Sequence, residues 1–147
     1  MNRDFVEMLS ALSEAGAEYL VVGAHAMAVH GRPRATGDLD VWIRPTIENA
    51  ERVWSALIEF GAPLHELEVG DLASSDLVLQ IGIAPRRIDI MTSVTGISFD
   101  EAWPHRLAVP IEGIDVPVIG KRELIRNKKA VGRPRDAADV FELEEEG

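Results

Sequence analysis

The sequence predicts an α/β (α+β) domain: a mixed β-sheet flanked by helices, with further helices at the C-terminus. Three observations predict it. Short apolar runs alternate with amphipathic helical patterns along most of the chain. Glycine and proline punctuate most changes from one pattern to the next. Apolar residues make up 46% of the chain but aromatic ones only 5%, so the core must rest on Val, Ile, Leu and Ala. A length of 147 residues fits one domain, 1–147. Its core is expected over about 18–120, with a helical segment over 121–147.

The elements follow in order. Phe5 to Ala15 reads as an amphipathic helix with Phe5, Met8, Leu9 and Leu12 on its inner side, stopped by Gly16. Glu18 to Val22 is a short buried strand. Gly23 opens a second helix, Ala24 to His30, which Gly31 and Pro33 end. Asp38 to Arg44 is a strand closed by Pro45. Thr46 caps a helix over Ile47–Phe60, with Ile47, Ala50, Val53, Trp54, Leu57 and Ile58 facing inward. Gly61 and Pro63 close it. Leu77–Ile83 and Arg87–Thr92 read as a hairpin turning at Pro85-Arg86. A short helix over Phe99–Trp103 precedes a second hairpin, Leu107–Ile111 with Ile114–Ile119, tipped by Glu112-Gly113. Two helices finish the chain, Lys121–Val131 and Asp136–Glu145, split by Gly132-Arg133-Pro134.

Composition excludes several functions. Without cysteine there are no disulfides, thiolate metal sites or cysteine nucleophiles, which fits a reducing cytoplasm. Met1-Asn2-Arg3-Asp4 has no apolar run behind a basic start, so no signal peptide is expected. No apolar stretch is long enough to span a bilayer, so a soluble cytoplasmic protein with no membrane partner is expected. The net charge of −10 argues against broad duplex DNA binding, because phosphate neutralisation dominates that affinity. Lys121 to Arg135 nevertheless holds seven basic residues and one acidic one, enough to hold a small polyphosphate.

The most informative tripeptide is Asp38-Leu39-Asp40. Residues two apart on a strand share a face, so both carboxylates project together while Leu39 enters the core. Such a pair repels itself unless a hard divalent cation or another positive group neutralises it. Taken alone, the pair is more often an ordinary acidic turn before a strand. Asp89 adds weight as a single acid between apolar neighbours in Arg87-Ile88-Asp89-Ile90-Met91. It either pairs with an arginine such as Arg87, on the same face, or completes a carboxylate trio with Asp38 and Asp40. Gly23 adds a strand–glycine–helix junction, whose backbone N–H groups favour phosphate; any tight turn of this kind also suits glycine.

Two stretches then carry a family resemblance. Leu20-Val-Val-Gly-Ala-His-Ala-Met-Ala-Val-His-Gly31, followed by Arg34-Ala-Thr36-Gly-Asp38-Leu-Asp40-Val-Trp42, resembles the core motif of the polymerase-beta-type nucleotidyltransferase superfamily. The His30-Gly31 to Asp40 run and the late Gly132-Arg133-Pro134-Arg135-Asp136 run are similar to those of small bacterial abortive-infection-toxin-like nucleotidyltransferases. The resemblance covers about Glu18 to Leu143. One position departs from the motif: the second small residue, usually Gly or Ser, is Ala24, which keeps its N–H but has no hydroxyl.

The resemblance implies that Asp38 and Asp40 hold two Mg²⁺ ions, with Mn²⁺ as a substitute, around a nucleoside triphosphate. It implies that Asp89 binds the second ion and helps deprotonate an attacking hydroxyl. Gly23 and Ala24 then offer N–H groups to the phosphates. Arg34 and Thr36, on the loop before the acidic strand, either touch phosphate or brace the carboxylates. Lys121 and Lys128 fall two turns apart on one helix face, each placed to reach a triphosphate; the resemblance favours Lys128. Arg126 and Lys129 are expected to face water. Asp136 is a good N-cap for the last helix, and Asp139 is placed to pair with Arg133 or Arg135. His25 and His30 lie five apart and share no face, so no zinc pattern is present.

Two functions compete. One is an enzyme that moves a nucleoside monophosphate from an NTP to a hydroxyl on a small molecule, a protein or an RNA end. The other is a catalytically weak binding module working with a partner protein or as a homodimer, in a toxin–antitoxin or phage-defence pair. Metal-dependent phosphohydrolysis ranks last, because the histidines common at such sites are missing.

Overall fold

Short apolar runs bounded by glycine, proline and polar residues put every strand close to where the sequence predicts it. The computed structural model describes residues 1–31 and 37–145. Six helices and six strands follow in the order α1 (Arg3–Glu14), β1 (Tyr19–Val22), α2 (Gly23–Val29), β2 (Leu39–Ile43), α3 (Ile47–Phe60), β3 (Val78–Ile81), β4 (Ile88–Met91), α4 (Phe99–Ala102), β5 (Leu107–Ile111), β6 (Ile114–Val118), α5 (Lys121–Val131) and α6 (Pro134–Glu145). The strands form one mixed sheet in the order β3-β4-β2-β1-β6-β5. β1 runs antiparallel to β2 and parallel to β6. β2 and β4 are parallel, and both expected hairpins, β3–β4 and β5–β6, form.

The central strands are apolar over most of their length. Leu39, Val41, Trp42 and Ile43 of β2 are all buried, as are Leu20 and Val21 of β1. Phe5, Met8, Leu9 and Leu12 of α1 pack into the same core, as their spacing predicts. α3 starts at Thr46, whose hydroxyl accepts the Asn49 N–H at 3.3 Å, and stops at left-handed Gly61. Asn49 ties this helix to the sheet. Its amide donates to the Glu18 carbonyl at 2.9 Å and the Arg44 carbonyl at 3.0 Å, and accepts from the Glu18 N–H at 2.7 Å. Each polar atom of this buried side chain therefore has a partner. Arg44, just past the end of β2, lies over the Phe99 ring at 4.7 Å and pairs with Glu18 and Asp100, fastening α4 to the end of this central strand.

Three expectations are corrected. Ile47 and Ile58 are exposed; the buried stripe of α3 is Asn49, Ala50, Val53, Ala56 and Leu57, so the two isoleucines sit on its flanks. Asp136 is not the cap of α6, which begins at Pro134. It lies in the first turn, where its carboxylate accepts the Arg133 N–H at 3.2 Å, one half of a capping box. A 3-10 turn at Val69–Ala73, burying Leu72, has no counterpart among the expected elements. Among the described residues no helix is long and apolar enough to cross a membrane.

Candidate functional site

Register assembles the site. β2 and β4 pair with Asp40 directly beside Asp89, so two acids from distant parts of the chain stand on adjacent strands and one face. Asp38 precedes β2 by one residue. Its Oδ1 accepts the backbone N–H of Arg87 at 3.0 Å, while the Leu39 N–H donates to the Arg87 carbonyl at 2.9 Å. The start of β4 thus fixes the start of β2, and the three carboxylates gather where the two strands begin.

Gly23 closes this corner. It sits at the β1–α2 junction with φ +68°, and a Cβ there would collide with the Asp40 carboxylate. Glycine is needed for both reasons, the left-handed backbone and the close approach. Asp40 itself is pushed up to about 6, first by burial and then by the charges of its neighbours Asp89 and Asp38.

The cation among the acids is Arg87. Its Nε donates to Asp89 Oδ1 at 2.7 Å and its Nη2 to Asp89 Oδ2 at 3.1 Å. Nη2 also stands 3.2 Å from Asp38 Oδ2. Among the described residues no group of three His, Asp or Glu side chains is arranged to hold a metal ion. The donors themselves are all carboxylate oxygens, the chemistry that suits Mg²⁺ or Mn²⁺.

The carboxylates open onto a cleft of about 580 Å³. Gly23, Ala24, Asp38, Asp40 and Asp89 line it on the sheet side. Ser93 to Thr95 and the face of α5 carrying Asn127 and Lys128 form the opposite wall. This wall is held by Asn127, which donates to the Thr95 carbonyl at 2.8 Å, and by Arg126, which donates to the Gly96 carbonyl at 2.9 Å. Gly96 lies so close to Ala130 that a Cβ would overlap its methyl group.

Lys128 is nearly buried in this wall. Its Nζ is 2.9 Å from Asp139 Oδ2 and 3.7 Å from Asp136 Oδ1. Asp136 is gripped in turn by Arg133, whose guanidinium holds the carboxyl below the usual range against the opposing effect of burial. A lysine, an arginine and two buried aspartates thus join α5 to α6 at the mouth of the cleft. Asp139 pairs with Lys128, a partner the sequence reading did not assign. The available signal was its three-residue spacing from Asp136, which puts both acids on one helix face.

The remaining candidates fall elsewhere. Lys121 stands in the first turn of α5 and does not line the cleft. Arg34 and Thr36 lie outside the described residues, as does Pro33. Lys129 and Arg126 are exposed and paired with Glu144 and Glu101. His30 bonds to the Ile119 carbonyl at 2.8 Å, joining α2 to the end of β6. His25 faces a separate cavity of about 660 Å³. Val21 lines that cavity and Val22 the acidic cleft, so the two lie on opposite faces of the sheet. That cavity is larger but mainly apolar, and among the described residues no carboxylate lines it.

Two solved structures share this fold. A candidate nucleotidyltransferase from Thermotoga maritima aligns with 99% of this chain and 92% of its own, with a TM-score of 0.63 and 17% identity. ANT(2″)-Ia, solved with adenylyl-2″-tobramycin, aligns with 95% of this chain and 84% of its own, with a TM-score of 0.60 and 15% identity. No protein-family model matches the chain. No curated protein matches it either.

Proposed function

We propose that the acidic cleft binds a nucleoside triphosphate with divalent cations and transfers its nucleoside monophosphate to a hydroxyl. The observation that carries this reading is the in-register pairing of Asp40 with Asp89, with Asp38 at the strand start and Lys128 across the cleft. The fold shared with ANT(2″)-Ia supports it, since that protein was solved with an adenylyl group joined to tobramycin.

Asp38 and Asp40 would hold two Mg²⁺ ions, or Mn²⁺ in their place, and Asp89 one of the two. Bound there, the ions supply charge to the entering and leaving oxygens of an in-line displacement. The residues of the chain do the rest. Asp89 accepts the proton of the attacking hydroxyl. Lys128 meets the phosphate charge from the opposite wall. Gly23 and Ala24 present backbone N–H groups at the cleft edge, and Ala24 contributes no side-chain bond. Arg34 and Thr36 precede Asp38 in the sequence and are assigned to the phosphates on sequence grounds. The acceptor is a small molecule, a protein or an RNA end. The abortive-infection-toxin-like resemblance points to a role in toxin–antitoxin or phage defence.

The test is calorimetry with Mg²⁺ and each NTP. Wild type should bind, and the Asp38→Ala/Asp40→Ala double variant should not. Equal binding by both proteins sinks the assignment. Transfer of label from an α-labelled NTP into cell extract then identifies the acceptor.

A second reading is a binding module that works with a partner protein. Arg87 seated on Asp89, together with Ala24 at the phosphate turn, favours it. Co-purification of a partner, with no label transfer from any NTP, decides for this reading.

A further inference from the structure

The carboxylates of the cleft already hold a cation, and it belongs to the chain. Arg87 and Asp89 lie two apart at the head of β4, so their side chains share a face. The guanidinium engages both oxygens of Asp89 and one of Asp38. Its own backbone N–H takes the other oxygen of Asp38. A planar guanidinium fork matches a carboxylate in a way no ammonium does. Lys128, a nearly buried cation of the same cleft, is engaged by Asp139 and Asp136 instead.

A divalent ion shared by Asp38 and Asp89 needs the oxygens that Arg87 occupies. Two positive charges on the same carboxylate oxygens repel each other, so metal binding at Asp89 is opposed while the guanidinium stays and favoured once it leaves. Leaving into water forfeits a bidentate, charge-assisted pair. Leaving for another bidentate oxyanion does not. The phosphates of a nucleotide present such an acceptor, and Arg87 is 30% exposed, on the cleft side, where one would arrive.

We infer that Arg87 is a tethered counter-ion that keeps a bare divalent cation off Asp89 and moves to the phosphates of an arriving nucleotide, so that metal and nucleotide bind as a coupled pair. This inference rests on the metal–nucleotide reading of the cleft. It adds a positioning residue that the carboxylate pattern does not contain, and it makes the seat selective for metal delivered with a polyphosphate. Because coupling between two ligands is reciprocal, metal should tighten nucleotide by the same factor that nucleotide tightens metal.

The experiment is Mn²⁺ titration of the full chain, followed by the paramagnetic resonance signal of free Mn²⁺. Titrations are run with and without an NTP analogue that cannot be cleaved between its α- and β-phosphates. Wild type should bind bare Mn²⁺ weakly and gain about tenfold or more with the analogue. Arg87→Gln should bind bare Mn²⁺ about tenfold more tightly than wild type and lose most of the gain from the analogue. Arg87→Lys, which keeps the charge without the fork, should fall between them. It also carries the comparison if the glutamine variant melts early.

Equal bare-Mn²⁺ affinity in wild type and both Arg87 variants, with binding abolished by Asp40→Asn, overturns the role of Arg87 and leaves the metal site standing. Failure of every protein to bind Mn²⁺ or the analogue overturns the metal–nucleotide reading as well.

Discussion

The Asp40 carboxylate occupies the space that a Cβ on Gly23 would need. A junction of the first strand and the second helix therefore sets the position of a side chain on the neighbouring strand. Replacing Gly23 by Ala adds a collision to the cost of holding φ at +68°. We expect Gly23→Ala to lose about 2–4 kcal/mol in urea denaturation, from a left-handed alanine plus overpacking. Binding of Mg²⁺ with nucleotide should fall with it. A variant that keeps full stability would show that the Asp40 side chain can move aside freely.

Asp40 also sets a pH dependence. Its pKa is pushed up from 3.8 to about 6 in the folded protein, so folding favours its protonated form. The corresponding stability is complete below pH 3.8 and is lost as pH rises through 6. Asp40→Asn removes this loss. In chelator, it should be more stable than wild type by roughly 1–2 kcal/mol at pH 8, a figure discounted for solvent reaching the cleft. The gain should vanish near pH 4. Urea melts at the two pH values read the difference directly, and an equal gain at both would remove Asp40 as its source.

Lys128 is placed to have two effects at once. Its ammonium neutralises Asp139 and stands near Asp136, and these side chains are only 5% and 1% exposed. Lys128→Met removes the ammonium that stands beside two buried carboxylates and should cost about 3–5 kcal/mol. Adding Asp139→Asn should recover part of that stability but none of the nucleotide binding. Thermal melts and calorimetry on the single and double variants separate the two contributions.

Asn49 tests the scaffold away from the cleft. Its three hydrogen bonds to the backbones of Glu18 and Arg44 should make Asn49→Ala cost about 2–3 kcal/mol. The denaturant midpoint should fall while the slope stays the same.

Much of this fold was legible because glycine and proline mark its joints. Helix α3 and helix α5 begin and end where Thr46, Gly61 and Gly132 predict, and both hairpins follow from alternation around short turns. The 3-10 turn at Val69–Ala73 was not legible, since five residues carry too little periodicity. Ile47 and Ile58 misled the reading for a different reason: an apolar residue on a helix flank looks the same in sequence as one on the inner stripe. At the candidate site, the two-residue period exposed Asp38, Asp40 and the Arg87–Asp89 pair. The gathering of β2 and β4 side by side was beyond that period, because it depends on strand order. So was the pairing of Lys128 with Asp139, which needs two helices to meet at a known angle.

The close contact between Gly96 and Ala130 has a consequence of its own. Neither residue bears a functional group, yet the seating of the Ala130 methyl against Gly96 fixes how far α5 stands from the loop that follows β4. The gauge of the cleft is therefore set by two of the smallest side chains in the chain. Enlarging either one by a methyl would act as a spacer shim, widening the cleft without changing any acid or base in it.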